Sequence, residues 1–319
     1  MFFKQIIVNI ASNWRKRNFI KCNEEGKMLK LQKSAITILI VLAVLLSHQN
    51  CNADKPERPQ DILQAPASST AVAILPWCFD ADFNKSQTLN GTDVLLAGFC
   101  TVLKDPLPGE EYNVHLAASM LAGIVIPPGG VFSQNSSIGP YTIKRGFREG
   151  PTYSGTNLIK TIGGGVCKIA STLYNVAILS NLEVVERYCH SMPVPYVPYG
   201  QDATVSYGNK DFRFRNNTSD PVMIWAEGMD NRLYIAFYGC STPPVVKWEH
   251  NVVKTIKAPV INKINPLLGH GEKKIILEGM DGAVVKSRVH ISINEETDSV
   301  KELGISSYSP FPFIEEIGP

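Results

Sequence analysis

A cysteine, a histidine and a carboxylate in this chain are spaced so that they could perform acyl chemistry together. The stretch "TIGGGVCKIASTLYN", residues 161–175, sets Gly163, Gly164 and Gly165 just ahead of Cys167 and a helical pattern just behind it. A thiol attacks a carbonyl only as thiolate, and a free cysteine with a pKa of about 8.5 is mostly protonated at neutral pH. A helix N-terminus favours the anion, because unpaired N–H groups and the positive end of the dipole lie there. Glycines let a substrate backbone approach closely and supply the φ values of a tight turn. The backbone N–H groups from Gly164 to Cys167 suit a developing oxyanion. The same residues also fit a glycine-rich turn closing a strand-to-helix connection over a small buried cysteine, which is an ordinary core residue.

A base separates the two readings, since a thiol nucleophile works with a histidine held by a third polar group. His190 ends the strand-like "EVVERYCHS", which would lay strand and helix side by side, and Asp202 in "YGQDATV" opens the next strand. The other histidines fit less well: His48 is in the leader, His115 precedes the glycine turn by a long loop, and His250, His270 and His290 lie far downstream. No metal is expected, because CxxC and HExxH spacings are missing and the adjacent Cys189 and His190 point to opposite strand faces. No Walker or dinucleotide fingerprint occurs either, so no cofactor is expected.

Elements to position these residues are legible on both sides. Val94 to Leu103 reads as an apolar strand, followed by a helix from Tyr112 with Tyr112, Leu116, Met120 and Leu121 on one face. "PPGG" at Pro127 to Gly130 stops it. Ile169, Leu173, Val176 and Ala177 make the stripe of an amphipathic helix ending near Asn181, with Cys167 in its first turn. Alternation then predicts strands at Ala203–Tyr207, Phe212–Phe214, Val222–Ala226 and Leu233–Phe237, separated by turn signals. The class is α+β: a cysteine-bearing helix against an antiparallel meander. A β-rich extension follows from 243 to 319, small for an independent core.

Residues 1–53 read as a leader, with Lys30 and Lys33 before the twelve-residue apolar run from Ala35 to Leu46 and a small-residue site at Cys51-Asn52-Ala53. Met28 stands at an ordinary signal-peptide distance and is an alternative start. The run is short for a span, which takes about 20 residues. Export with cleavage is therefore the expectation, with an uncleaved anchor as the membrane-bound alternative. Residues 54–70 form a polar linker, and 71–242 the main globular domain.

Without the leader, 23 basic side chains face 27 acidic ones. Such a balance carries no general attraction for nucleic acid phosphates. Five cysteines remain in the exported body, so two bridges leave one thiol over. Cys78 with Cys100 and Cys189 with Cys240 would each bracket a strand-like stretch and leave Cys167; full reduction of all five is the alternative.

Four blocks, "PPGGVFSQNSSIGPYTIKRGF", "GGGVCKIASTLYNVAILSNLEVVERYCHS", "VPYVPYGQDATV" and "DFRFRNNTSDPVMIWA", together resemble the VanW family. The resemblance runs from about Leu95 to Cys240, and the glycine–cysteine block is its most specific part. It implies export to a bacterial envelope and L,D-transpeptidation of peptidoglycan stem peptides through Cys167, with His190 as the matching histidine. It also implies that Lys168, Ser171 and Thr172 stand at substrate-contact positions. Here the chain departs from the usual Cys-Gln-hydrophobic-Ser-Thr-Thr, and Gln201 stands where arginine is usual. Lys168 beside the thiol would still favour thiolate. The tail from 277 resembles the β-rich extensions that often follow such domains. Trimming of stem peptides by hydrolysis, or a non-catalytic wall-binding module, are the rival functions. Edman sequencing of the secreted protein is expected to begin just after Ala53; an intact Met1 or Met28 terminus would mean a retained anchor.

Overall fold

The protein is seen here as a computed structural model that describes residues 75–78, 80–102, 107–154, 157–294 and 297–319. All belong to one unit, Glu57–Pro319. The leader at 1–53 and the linker at 54–70 lie outside the described residues.

The long apolar alternations build one four-stranded antiparallel sheet. Its strands are β1 (Val94–Val102), β2 (Ile124–Ile126), β8 (Val222–Met229) and β9 (Arg232–Gly239), in the order β1-β9-β8-β2. Leu233, Ile235 and Phe237 of β9 enter the main core on one face, while Ala236 and Tyr238 pack on the other with Trp77, Phe83 and Met223. The β8–β9 hairpin is as its alternation predicts, turning at Asp230, which takes a left-handed φ of 50°. Its neighbours come from earlier in the chain, so the sheet is not a sequential meander. Helix α1 (Ala81–Asn90) covers the Trp77 face, its N-terminus capped by the Asp80 carboxylate.

Helix α2 (Glu110–Leu121) packs on β8 with a different face from the expected one. Asn113, Val114, Ala117, Ala118 and Leu121 are buried, whereas Tyr112 is exposed beneath the Arg148 guanidinium, 3.6 Å from its ring centroid. Small alanines permit the close approach to the sheet, and the larger side chains at 112, 116 and 120 flank the contact.

Helix α4 (Cys167–Leu179) is more central than an amphipathic stripe implies, for every residue from Ile169 to Leu179 is buried. β1 and β9 cover one side, and Trp248 meets Tyr174 edge-on at 5.7 Å. Its polar side chains mostly donate to nearby carbonyls: Thr172 to that of Lys168 at 2.6 Å, and the Asn175 amide to those of Ser171 and Gln201 at 2.8 Å each, while Asn175 Oδ1 has no partner among the described residues. A helix enclosed on all sides has to meet its polar side chains in this way.

The remaining strands frame the two ends of α4. β3 (Val131–Ser133), followed by the short α3 (Gln134–Ile138), pairs with β7 (Arg213–Arg215), which pairs with β6 (Glu183–Glu186). The hairpin of β4 (Glu149–Ser154) and β5 (Asn157–Ile162) leads directly into the glycine turn. Residues 203–207 form no strand, contrary to their alternation. The Ala203 N–H donates to Ser171 Oγ at 2.9 Å and the Val205 N–H to Cys167 Sγ at 3.5 Å. Their alternation reflects a segment lying along a helix, with backbone bonds spent on the side chains of that helix.

The C-terminal part is β-rich as expected. β10 (Val245–Ile256), β13 (Gly282–Asn294) and β14 (Thr297–Tyr308) form an antiparallel sheet in the order β10-β13-β14. β11 (Val260–Ile264), β15 (Phe313–Ile317) and β12 (Lys273–Leu277) form a second, in which β11 and β15 run parallel.

The expected bridges Cys78–Cys100 and Cys189–Cys240 are not formed. Cys100, Cys189 and Cys240 are all thiols. Cys100 bonds the neighbouring Tyr234 side chain, and burial pushes its thiol up to about 11. Cys240 donates to the Gly91 carbonyl at 2.9 Å, while Cys189 packs with Ala283, Val285 and Tyr308.

Leu173, at 0% exposure in the centre of α4, is the sharpest test of this core. Leu173→Ala is expected to cost about 2–5 kcal/mol, read from urea unfolding midpoints; a loss below ~1 kcal/mol would mean that α4 is not enclosed.

Candidate functional site

The turn between β5 and α4 has the conformation that only glycines hold comfortably. Gly163 and Gly165 have φ of 82° and 104°. Gly164 lies so close to the β4 backbone that a Cβ would sit 2.2 Å from the Gly150 carbonyl. Asn113, fully buried on α2, ties the turn down: its amide donates to the carbonyls of Arg148 at 2.8 Å and Gly164 at 2.9 Å, and its oxygen accepts from the Arg148 N–H at 2.8 Å. Nothing in the sequence pattern singled out Asn113.

Cys167 is the first helical residue, and the preceding Val166 offers no side-chain cap. The residue keeps part of its surface open to solvent. Thr204 Oγ1 lies 3.4 Å from its sulfur, and the Val205 N–H points at it from 3.5 Å. His190 acts on the same sulfur. Burial pushes the thiol up, but the bond and charge of His190, with the Thr204 and Val205 donors, together bring it below the ordinary 9.0.

The histidine is held from behind. Its Nδ1 meets Asp202 Oδ2 at 2.6 Å and its backbone N–H donates to the same oxygen at 2.7 Å, which leaves Nε2 for the sulfur. Burial alone would lower the imidazole; the bonds to Asp202 and Cys167 and their negative charges raise it to about 9. Asp202 is 1% exposed. Burial pushes its carboxyl up, yet His190 and Arg187 outweigh this and hold it below its usual value. A buried carboxylate needs such partners. Arg187 Nη2 reaches Oδ1 at 3.0 Å, and the Tyr308 hydroxyl donates to Oδ1 at 2.5 Å.

Cys167, His190 and Asp202 thus lie together, with His190 four residues beyond the end of β6 and Asp202 in a loop rather than a strand. The other expected site residues fall differently. Ser171 is fully buried, donating to the carbonyls of Cys167 and Ala203 at 3.0 Å each. Thr172, equally buried, meets Thr101 at 2.7 Å. Both fix α4 to its neighbours and touch no open space. The Lys168 ammonium pairs with Glu110 and sits 5.0 Å above the Tyr196 ring; it is not among the charges that act on the thiol. Burial pushes this lysine down to about 7.

The oxyanion donors also narrow. The Gly163 N–H donates to Arg148, that of Gly164 to Thr161 and that of Val166 to Gly163. Among the described residues, the N–H groups of Gly165 and Cys167 remain for another acceptor. Beside the turn an open groove of about 570 Å³ is lined by Tyr112, Phe147, Arg148, Lys160 and Ile162, among others. No group of three His, Cys, Asp or Glu side chains among the described residues is arranged to hold a metal, and no described helix is long and apolar enough to cross a membrane.

A family model described as "VanW like protein" matches residues 109–238, which contain Cys167, His190 and Asp202 but neither Thr101 nor the C-terminal contacts. The chain is 35% identical over 143 residues to the uncharacterized protein YoaR of Bacillus subtilis, covering 45% of this chain and 47% of that one. It is 30% identical over 129 residues to the vancomycin B-type resistance protein VanW of Enterococcus faecalis, covering 39% and 47%. The chain thus matches about half the length of these curated relatives. Among solved structures, an IgA1 protease G5 domain aligns at 25% identity and TM-score 0.16 over 24% of this chain and 94% of its own. The G5 domain of HP0197 aligns at 12% identity and TM-score 0.14, over 22% and 95%.

The lowered thiol makes a directional prediction. Alkylation of Cys167 by iodoacetamide, followed by peptide mass mapping, is expected to have its pH midpoint below the ordinary thiol value of 9.0. His190→Gln removes the stabilising charge and leaves the burial, so the midpoint moves up and the neutral-pH rate falls roughly tenfold or more. An unmoved midpoint would dissociate the two residues.

Proposed function

We propose that this chain, VanW-like over residues 109–238, is a cysteine acyltransferase of the bacterial cell envelope that acts on peptidoglycan stem peptides. The observation that carries the reading is the His190 ring bonded to the buried Asp202 on one side and acting on the Cys167 sulfur, at the start of α4, on the other. Positioned thiolate, positioned acid and buried carboxylate are the parts acyl transfer requires. The substrate class comes from the family resemblance, which fits the printed name of the enterococcal relative.

In this mechanism the Cys167 thiolate attacks the carbonyl of an L-configured centre that precedes a terminal D-residue. A C–S bond forms, and the oxyanion is received by the N–H groups of Gly165 and Cys167. On collapse the C–N bond breaks, and the His190 imidazolium gives its proton to the departing amine of the D-residue. The amine of a second stem then attacks the thioester, loses a proton to His190 and expels the Cys167 thiolate, which leaves a cross-link. Asp202 keeps the imidazole oriented and balances its charge throughout. Export of the chain follows from the leader at 1–53 and belongs to the same proposal.

Intact-mass analysis after incubation with a tetrapeptide stem is expected to show an adduct lacking the terminal residue, mapped to Cys167 and lost in Cys167→Ala. With a second stem present, the expected product is a dimer; a trimmed tripeptide alone would assign water as the acceptor. An adduct retained in Cys167→Ala would refute the nucleophile.

A further inference from the structure

The loop that carries Asp202 is held largely by residues from outside the region of family likeness. The Tyr308 hydroxyl, on β14, accepts from the Gly200 N–H at 2.8 Å while donating to Asp202 Oδ1 at 2.5 Å. Ser306, two residues earlier on the same strand, accepts from Arg187 Nη1 at 2.8 Å, and Arg187 in turn grips the Asp202 carbonyl and carboxylate. His250 of β10 meets the Gln201 amide at 2.9 Å and Ser287 of β13 at 2.9 Å. Tyr199 donates to the Asp281 carbonyl at 2.7 Å. Four successive residues, Tyr199 to Asp202, are thus each anchored on the C-terminal strands or the loop between them.

We infer that Tyr308 is a positioning residue for the Cys167–His190–Asp202 chain, and that the β10-β13-β14 sheet is a working part of the site rather than an appended module. This rests on the nucleophile assignment above and extends it to a second region of the chain. Asp202 has two oxygens with separate tasks. Oδ2 serves the His190 backbone N–H and ring, and Oδ1 is fixed by Tyr308 and Arg187. With Oδ1 released from the hydroxyl, the carboxylate gains freedom to turn about its Cβ–Cγ bond, and Oδ2 leaves the line of the imidazole N–H.

The groups facing Asp202 are few: His190 and Arg187 from the segment after β6, Tyr308 from β14 and Tyr174 from α4. Tyr308 is buried, at 2% exposure, and its ring tilts against Tyr199 at 5.4 Å. Its hydroxyl therefore has no role at the surface, and removing that oxygen while keeping the ring isolates the positioning effect. At the opposite end of the cluster, Ser306 provides a second and milder handle, since it touches Asp202 only through Arg187.

A double-mutant cycle on the full chain tests this, with the mass-mapped rate of Cys167 alkylation by iodoacetamide at pH 7 as the readout and no substrate needed. Tyr308→Phe is expected to lower the rate roughly tenfold, the order of a hydrogen bond to a charged group. In the Asp202→Asn background the same change is expected to have almost no effect, because the path to the sulfur is already cut. Ser306→Ala is expected to show the same pattern with a smaller loss, and it carries the cycle if Tyr308→Phe fails to fold by circular dichroism. An unchanged or faster rate in Tyr308→Phe, or equal losses in both backgrounds, overturns the inference while leaving the nucleophile in place. A wild-type Cys167 inert to the reagent overturns both. A reactive Cys167 with the expected cycle but no stem adduct overturns the substrate alone.

Discussion

A carboxylate shut away from water is the constraint around which this fold is arranged. Asp202 is almost fully buried, and a charge in that position is tolerated only when its lone pairs are met. Four donors meet it: the His190 backbone and ring, the Arg187 guanidinium and the Tyr308 hydroxyl. They come from a loop after β6 and from the last strand of the C-terminal sheet, so satisfying one side chain draws distant parts of the sequence to one place. His190 then has only one free ring nitrogen, and the direction of that nitrogen is toward Cys167.

The glycine turn and the place of Cys167 were legible where local sequence dictates geometry. Three glycines before a thiol and a helical pattern after it can be read without a fold, because glycine φ and helix termini are properties of short segments. His190 stood out at the end of a strand-like stretch, the family likeness matched it, and Asp202 followed as the carboxylate opening the next segment. What stayed hidden depends on long-range contact. Tyr308 lies 106 positions from the carboxylate it touches, and Asn113 lies 51 from the glycine it holds. Ser171 and Thr172 stood as substrate contacts through the family resemblance alone, and in the helix each hydroxyl turns back to the carbonyl four residues earlier, of Cys167 and Lys168.

Two pattern readings went astray for one physical reason: alternation and periodicity report burial, not the identity of the covering element. Residues 203–205 alternate as a strand does, but their neighbour is α4, whose Ser171 and Cys167 side chains take the bonds that a strand would offer. Helix α2 has large side chains on one flank and alanines on its contact face, so weighting by size selects the wrong side. The fold class survives both errors, since it depends on which segments are regular and not on how each is covered. The β8–β9 hairpin and α4 were clear because their apolar residues are numerous and their turns are marked by glycine, aspartate and asparagine.

The partners in the site also add up in charge. The Asp202 carboxylate lies against the Arg187 guanidinium and the His190 imidazole, and Lys168 lies against Glu110 at the edge. These pairs meet inside the protein, between side chains that are 13% exposed or less. Dissolved salt acts on fields that reach into solvent, within about 10 Å at 0.1 M, and screens enclosed pairs much less. The pairing of His190 with Asp202 is thus set by contacts inside the protein and changes little with the ionic strength of the surroundings.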